Sequence, residues 1–201
     1  MMPEIDGIEL CRRIKGDVST SHIPVVLLTA KSDSEDVVKG YMCGAEAYVA
    51  KPFDPRILAL QVQNIMKMSR RRLEMAITSS PEEKIEDDSL NQLDRDFINA
   101  LNRIIDGNID NPALDVAYLT AALGFSRTLL YTKMKSLLGV SIGDYIRKKR
   151  MAVAKEMLRK GNNVSETAYS TGFSDPGYFS KVFRKEFGVS PKEFMSGESK
   201  S

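Results

Sequence analysis

VSETAYSTGFSDPGYFSKVFRKEFG, residues 164–188, repeats the plan of LDVAYLTAALGFSRTLLYTKMKSLL, residues 114–138. Each stretch reads as a short helix, a Gly-Phe-Ser turn and a second helix. In the earlier copy Val116, Leu119, Ala122 and Leu123 form the inner face of the short helix, and Leu130, Met134 and Leu137 that of the second. Ala168, then Phe179, Val182 and Phe183 take those places in the later copy. Gly124 and Gly172 permit the left-handed backbone such a turn needs, and Ser126 and Ser174 are placed to cap the helices that follow. The repeat therefore predicts two helix-turn-helix units. Between them, Ile142 to Lys160 reads as one long helix holding the units at a fixed separation. Ahead of them, Leu93, Phe97, Ala100, Leu101, Ile104 and Ile105 make a helical stripe stopped by Gly107.

The outer faces of the two second helices carry the chemistry. Thr128, Tyr131, Thr132 and Lys135 lie at i, i+3, i+4 and i+7, and Gly177, Lys181, Arg184 and Lys185 occupy the matching face of the later copy. One charged outer face alone is more often plain solvated surface. Two such faces in a basic region point instead to the major groove, where phosphates flank the bases. The charge distribution supports this. The net charge of 201 residues is only +2, yet residues 112–197 hold fourteen Lys or Arg against seven acids, and residues 73–111 hold ten acids against three Lys or Arg. Helices entering successive grooves on one DNA face should sit about 34 Å apart.

The front of the chain follows other rules. Ile23 to Leu28 reads as a strand buried on both faces, Ala47 to Ala50 as a second, and Ser34 to Cys43 and Pro55 to Met68 as helices. That alternation belongs to a partial, doubly wound α/β domain. We assign residues 1–72 to it, residues 73–92 to an acidic linker whose polar break runs from Ile77 to Ser89, residues 93–197 to an all-α domain with two helix-turn-helix units, and 198–201 to a tail. Cys11 and Cys43 lack metal-ligand spacing and read as buried reduced thiols. The longest aliphatic run, Val25 to Leu28, is far too short to span a membrane, and a cytoplasmic location is expected. His22 has no nucleophile or acid in a recognisable arrangement and reads as an ordinary loop residue, so no enzyme is expected.

From Ser165 through Pro191 the sequence closely resembles the signature of AraC-type transcription regulators, and the resemblance extends over about residues 94–194. It implies double-stranded DNA as partner, with base-facing positions at Thr128, Tyr131 and Thr132 in the first unit and Gly177, Ser180 and Lys181 in the second. Arg127, Lys135, Ser174, Tyr178, Arg184 and Lys185, with Ser126 at the helix start, would then meet mainly the phosphate backbone. Thr132 and Gly177 depart from the basic and longer polar residues usual there. Met2-Pro3-Glu4-Ile5-Asp6-Gly7, Leu27-Leu28-Thr29-Ala30 and Tyr48-Val49-Ala50-Lys51-Pro52-Phe53 together resemble the second half of a response-regulator receiver domain. In such a domain Thr29 and Lys51 would bind phosphoryl oxygens and Tyr48 would report the change.

The same resemblance puts the phosphoacceptor aspartate and the Mg²⁺-holding acids upstream of Met1, leaving only the Met1 carbonyl for the metal. The chain is thus expected to carry no functional metal or cofactor of its own, Mg²⁺ belonging to an intact receiver in a longer parent. A receiver followed by an AraC-type domain is the order found at the C-terminus of hybrid two-component sensor kinases. Further expected partners are RNA polymerase and a second copy of the chain through the receiver remnant. The competing reading is a protein-interaction module whose receiver remnant docks a partner while DNA binding is secondary; Lys181→Ala with Arg184→Ala separates the two.

Overall fold

Alternating short strands and helices at the front and helices alone thereafter are what the sequence dictates, and the computed structural model, which describes residues 5–30, 34–78, 87 and 90–197, has that order. The described residues form two units. The first lies within Met1–Ala76, Lys84–Asn99 and Thr128–Gly139, the second within Ile77–Glu83, Ala100–Arg127 and Val140–Ser201. No described helix is long and apolar enough to cross a membrane.

In the first unit, helix α1 (Gly7–Gly16) starts at Asp6, whose carboxylate accepts the Glu9 amide at 2.8 Å. Strand β1 (Val26–Thr29) pairs in parallel with β2 (Ala47–Ala50), Leu27 opposite Tyr48 and Thr29 opposite Ala50. Helix α2 (Ser34–Met42) joins them and ends before Gly44, whose φ of +89° only glycine takes readily. Cys11, Cys43 and Ala45 are buried together with Ile8, Val25 and Leu27 packed on them, so the two thiols lie in the core as expected. Burial pushes the Cys11 thiol up to about 12, which keeps it protonated and inert.

Helix α3 (Pro55–Thr78) runs ten residues past the Met68 end read from sequence. It crosses the expected linker boundary at 73 because Leu73 and Ala76 are buried three residues apart, which extends the inner face by another turn. Most of the remaining linker residues, the tail and Met1 to Glu4 lie outside the described residues.

Helix α4 (Gln92–Asp106) follows the predicted stripe, with Phe97, Leu101 and Ile105 buried. Next come α5 (Val116–Leu123), α6 (Arg127–Leu138), α7 (Ile142–Arg159), α8 (Val164–Ser170), α9 (Pro176–Phe187) and α10 (Pro191–Ser196). Ala122 proves exposed rather than inward-facing. The sequence division at residue 93 is not how the units form: α6 belongs to the first, because its inner face carries a polar cluster that only residues of that unit satisfy.

The second unit is cored by Met151, Ala154 and Leu158 of α7, Ala168 of α8, and Phe173, Phe179 and Phe183, with Phe187 and Phe194 against them. Phe173 and Phe179 meet edge-on at 5.4 Å, as do Phe183 and Phe194 at 5.7 Å. A buried ion pair, Lys149 Nζ to Asp106 at 3.1 Å, lies in the same unit.

Candidate nucleic-acid interface

The turn of the later copy is built by Gly172, at φ +74°, with Arg150 wedged against it. Arg150 donates to the Gly172 carbonyl at 3.2 Å and to the Asn111 carbonyl at 2.6 Å, and lies 5.8 Å from the Phe173 ring centre. Helix α9 then starts at Asp175, whose carboxylate accepts the Gly177 amide at 2.8 Å, with Pro176 in the first turn. This corrects the capping role expected of Ser174, which is exposed one residue earlier. Proline has the φ that a first helical turn needs, so the residue before it becomes the cap.

Along α9, Phe179 and Phe183 are fully buried, whereas Gly177, Tyr178, Lys181, Arg184 and Lys185 are exposed on the other side. The structure thus brings these five to one surface. Ser180 is half-buried and donates to the Pro176 carbonyl of its own helix at 2.8 Å. Arg184 lies 3.8 Å from Glu193, and both are partly solvated, a pairing too weak to hold it from a phosphate.

Helix α6 shows the same two-sidedness. Leu130, Met134, Leu137 and Leu138 are buried, and Arg127, Thr128, Tyr131, Thr132 and Lys135 are exposed, with Ser126 exposed just before them. The Thr132 hydroxyl donates back to the carbonyls of Thr128 at 3.1 Å and Leu129 at 3.0 Å. A hydroxyl so engaged leaves its methyl as the feature available to a thymine methyl.

Three ion pairs, each with a buried lysine, escaped the sequence reading. Lys133, fully buried on α6, pairs with Asp94 at 2.6 Å, and Lys15 pairs with Glu46 at 2.5 Å. Lys149 with Asp106 is the third. A signal existed: Lys133 stands three residues after Leu130 and four before Leu137, and Asp94 three before Phe97, so opposite charges occupy stripe positions on two helices. His22 lies on the loop between α1 and β1, as expected, but is buried there, and burial, reinforced by the nearby Lys133 charge, lowers its proton affinity.

The strand ends bring two of the expected phosphoryl-sensing residues, Thr29 and Lys51, side by side, while Tyr48 lies within β2 opposite Leu27. Thr29 closes β1, and the Lys51 amide donates to its carbonyl at 2.6 Å. Thr29 is half-buried, Lys51 exposed, and the Lys51–Pro52 peptide is cis. The half-buried Tyr48 ring lies against the backbone of Gly40 on α2, where a methyl group would come within 2.4 Å of it. Among the described residues no group of three or more His, Cys, Asp or Glu could hold a metal. A hydroxyl and an ammonium suit phosphoryl oxygens and do not fit Mg²⁺. Met1, whose carbonyl the resemblance gave to that metal, lies outside the described residues.

Residues 1–63 match the response regulator receiver domain family, and residues 119–197 match the helix-turn-helix domain family. The chain is 34% identical over 197 residues to the histidine kinase P4 of Formosa agariphila, an overlap of 98% of this chain and 14% of that protein. It is 43% identical over 67 residues to the transcriptional regulatory protein CseB of Streptomyces coelicolor, 33% of this chain and 27% of that one. The solved C-terminal domain of the two-component response regulator yesN from Fusobacterium nucleatum shares 28% identity over 47% of this chain and 93% of its own, with a TM-score of 0.45.

Proposed function

Since the chain joins a response-regulator receiver segment to an AraC-type helix-turn-helix domain, the parts of a DNA-binding transcription regulator of two-component signalling, we propose that α6 and α9 enter successive major grooves of one DNA site. The observation that supports this most is the shared design of the two helices. Each buries an inner face and exposes a row of hydroxyl, aromatic and cationic side chains.

In that reading Tyr131, the Thr128 and Thr132 methyls and Lys181 face bases. Arg127, Lys135, Tyr178, Arg184 and Lys185, with Ser126 and Ser174 at the helix starts, grip phosphates. Gly177 lets the backbone of α9 approach closely, and Ser180 shapes the helix more than it reads a base. Thr29, Tyr48 and Lys51 would serve a phosphoryl group only in a longer hybrid protein that supplies the acceptor and Mg²⁺, acting in the cytoplasm and on RNA polymerase.

Selection from random DNA followed by footprinting tests the proposal. Two protected patches centred about 10 base pairs apart are expected, with affinity falling steeply as salt rises. Lys181→Ala with Arg184→Ala should weaken binding at least tenfold, the loss of one base contact and one phosphate contact. No preferred site would defeat the reading. A second reading, pairing of two copies through the receiver segment, is favoured by Tyr41 and Met42 of α2 and Ile57, Leu60 and Met66 of α3, all more than half exposed. Concentration-dependent sedimentation tests it.

A further inference from the structure

We propose that the loop joining α1 to β1 is a docking element seated on the back of α6, so that the receiver segment sets the position of the first recognition helix without covering its DNA face. The first unit contains both partners. From the loop, the fully buried Ser21 hydroxyl donates to Asp94 Oδ1 at 2.7 Å and accepts from Lys133 Nζ at 2.9 Å. Asn91 closes the cluster, donating to Asp94 Oδ2 at 3.0 Å and to the Ser21 carbonyl at 3.2 Å. Lys133 further lies 5.3 Å from the Phe97 ring centre. One turn along α6 the Ser136 hydroxyl donates to the His22 carbonyl. Arg72 of α3 donates at 2.9 Å to the carbonyl of Leu137 in the last turn, which has no partner within the helix.

The loop is fastened at its other side as well. Lys15 of α1 donates to the carbonyls of Ser21 at 3.3 Å and Ile23 at 2.8 Å while paired with Glu46. Glu46 in turn accepts the Val25 amide at 2.6 Å and immediately precedes β2, the strand of Tyr48 that ends at Lys51. A continuous set of charged hydrogen bonds therefore runs from the foot of β2 through the loop to the inner face of α6. Such contacts are directional, so they fix register where apolar packing would tolerate sliding. Those that reach α6 fall on Lys133, Ser136 and Leu137, while Thr128, Tyr131, Thr132 and Lys135 are exposed. A device of this kind regulates by placing the helix.

The consequence for DNA rests on the reading given above, and the experiment separates the two. In the full chain, Ser21→Ala removes an acceptor from a buried ammonium. Hydrogen exchange in residues 128–139 should accelerate about tenfold, with residues 176–187 unchanged. Ser136→Ala, which alters a half-buried hydroxyl and spares the ion pair, should give the same pattern to a smaller extent. On a selected DNA site, both variants should lose protection at the patch bound by α6 and keep that bound by α9. Unchanged exchange in α6 for both variants, or equal acceleration of α6 and α9 in both, would overturn the docking role. If the unaltered chain selects no DNA site, the DNA reading fails while the exchange result still decides the docking.

Discussion

The two recognition helices share an outer design and differ in what lies behind them. Behind α9 lies a cluster of rings, Phe173, Phe179, Phe183 and Phe187, and its one ion pair to α7 among the described residues, Lys148 with Glu186 at 2.6 Å, is only half-buried. Behind α6 stand Leu130, Met134 and an ammonium held by Asp94 and Ser21. One copy is held by shape and tolerates gradual change. The other is held by matched polar groups and fails when a single partner is lost.

The largest effects should test this directly. Lys133→Ala strands the Asp94 carboxylate in the interior, at a cost of about 3–5 kcal/mol. Phe183→Ala costs about the same by leaving a cavity. The helices part company on rescue: Lys133→Met combined with Asp94→Leu and Ser21→Ala should restore most of the stability in urea unfolding, because the two charges and the buried hydroxyl between them are removed together. A triple variant as unstable as Lys133→Ala would erase the distinction.

The turn glycines give an intermediate effect. Gly124→Ala meets nothing within 4 Å, so only the left-handed backbone is penalised, by about 1–2 kcal/mol. Gly172→Ala adds a methyl 2.6 Å from the Arg150 guanidinium and 2.8 Å from the Ile109 carbonyl. It should lower the melting temperature clearly further than Gly124→Ala; equal shifts would show that Arg150 gives way freely.

The smallest effect is one of pH. His22, the chain's one histidine, has its proton affinity lowered by burial from the ordinary 6.5. The unfolded chain then binds the proton more tightly than the folded one. Stability should be full above about pH 6.5 and decline as pH falls below it. His22→Gln should flatten that decline in thermal melts, and an unaltered slope would place its cause elsewhere.

Much of this was legible in the chain. The Gly-Phe-Ser repeats announced both copies, because turns impose strict residue choices; the Val25–Leu28 run announced β1 but not its surroundings, for no residue of β1 is buried and Leu28 is 43% exposed, against the burial on both faces expected of it. The outer faces followed from helical spacing alone. What stayed hidden was long-range. Helical spacing puts Lys133 on the stripe of Leu130 and Leu137 but cannot show what pairs with it, since its partner lies 39 residues earlier and its second acceptor 112 residues earlier. The cap moved from Ser174 to Asp175 because Pro176 sets the helix start. The extension of α3 was masked by a run of arginines whose helical preference matched no apolar pattern.

The burial of Lys133 marks out where this protein can be rebuilt for a new target. A library varying positions 127, 128, 131, 132 and 135 of α6 touches only exposed side chains, and most of its members should keep the fold. Extending the library to 133 or 136, as a search for extra cations on that helix would invite, discards folded members before any DNA is offered to them.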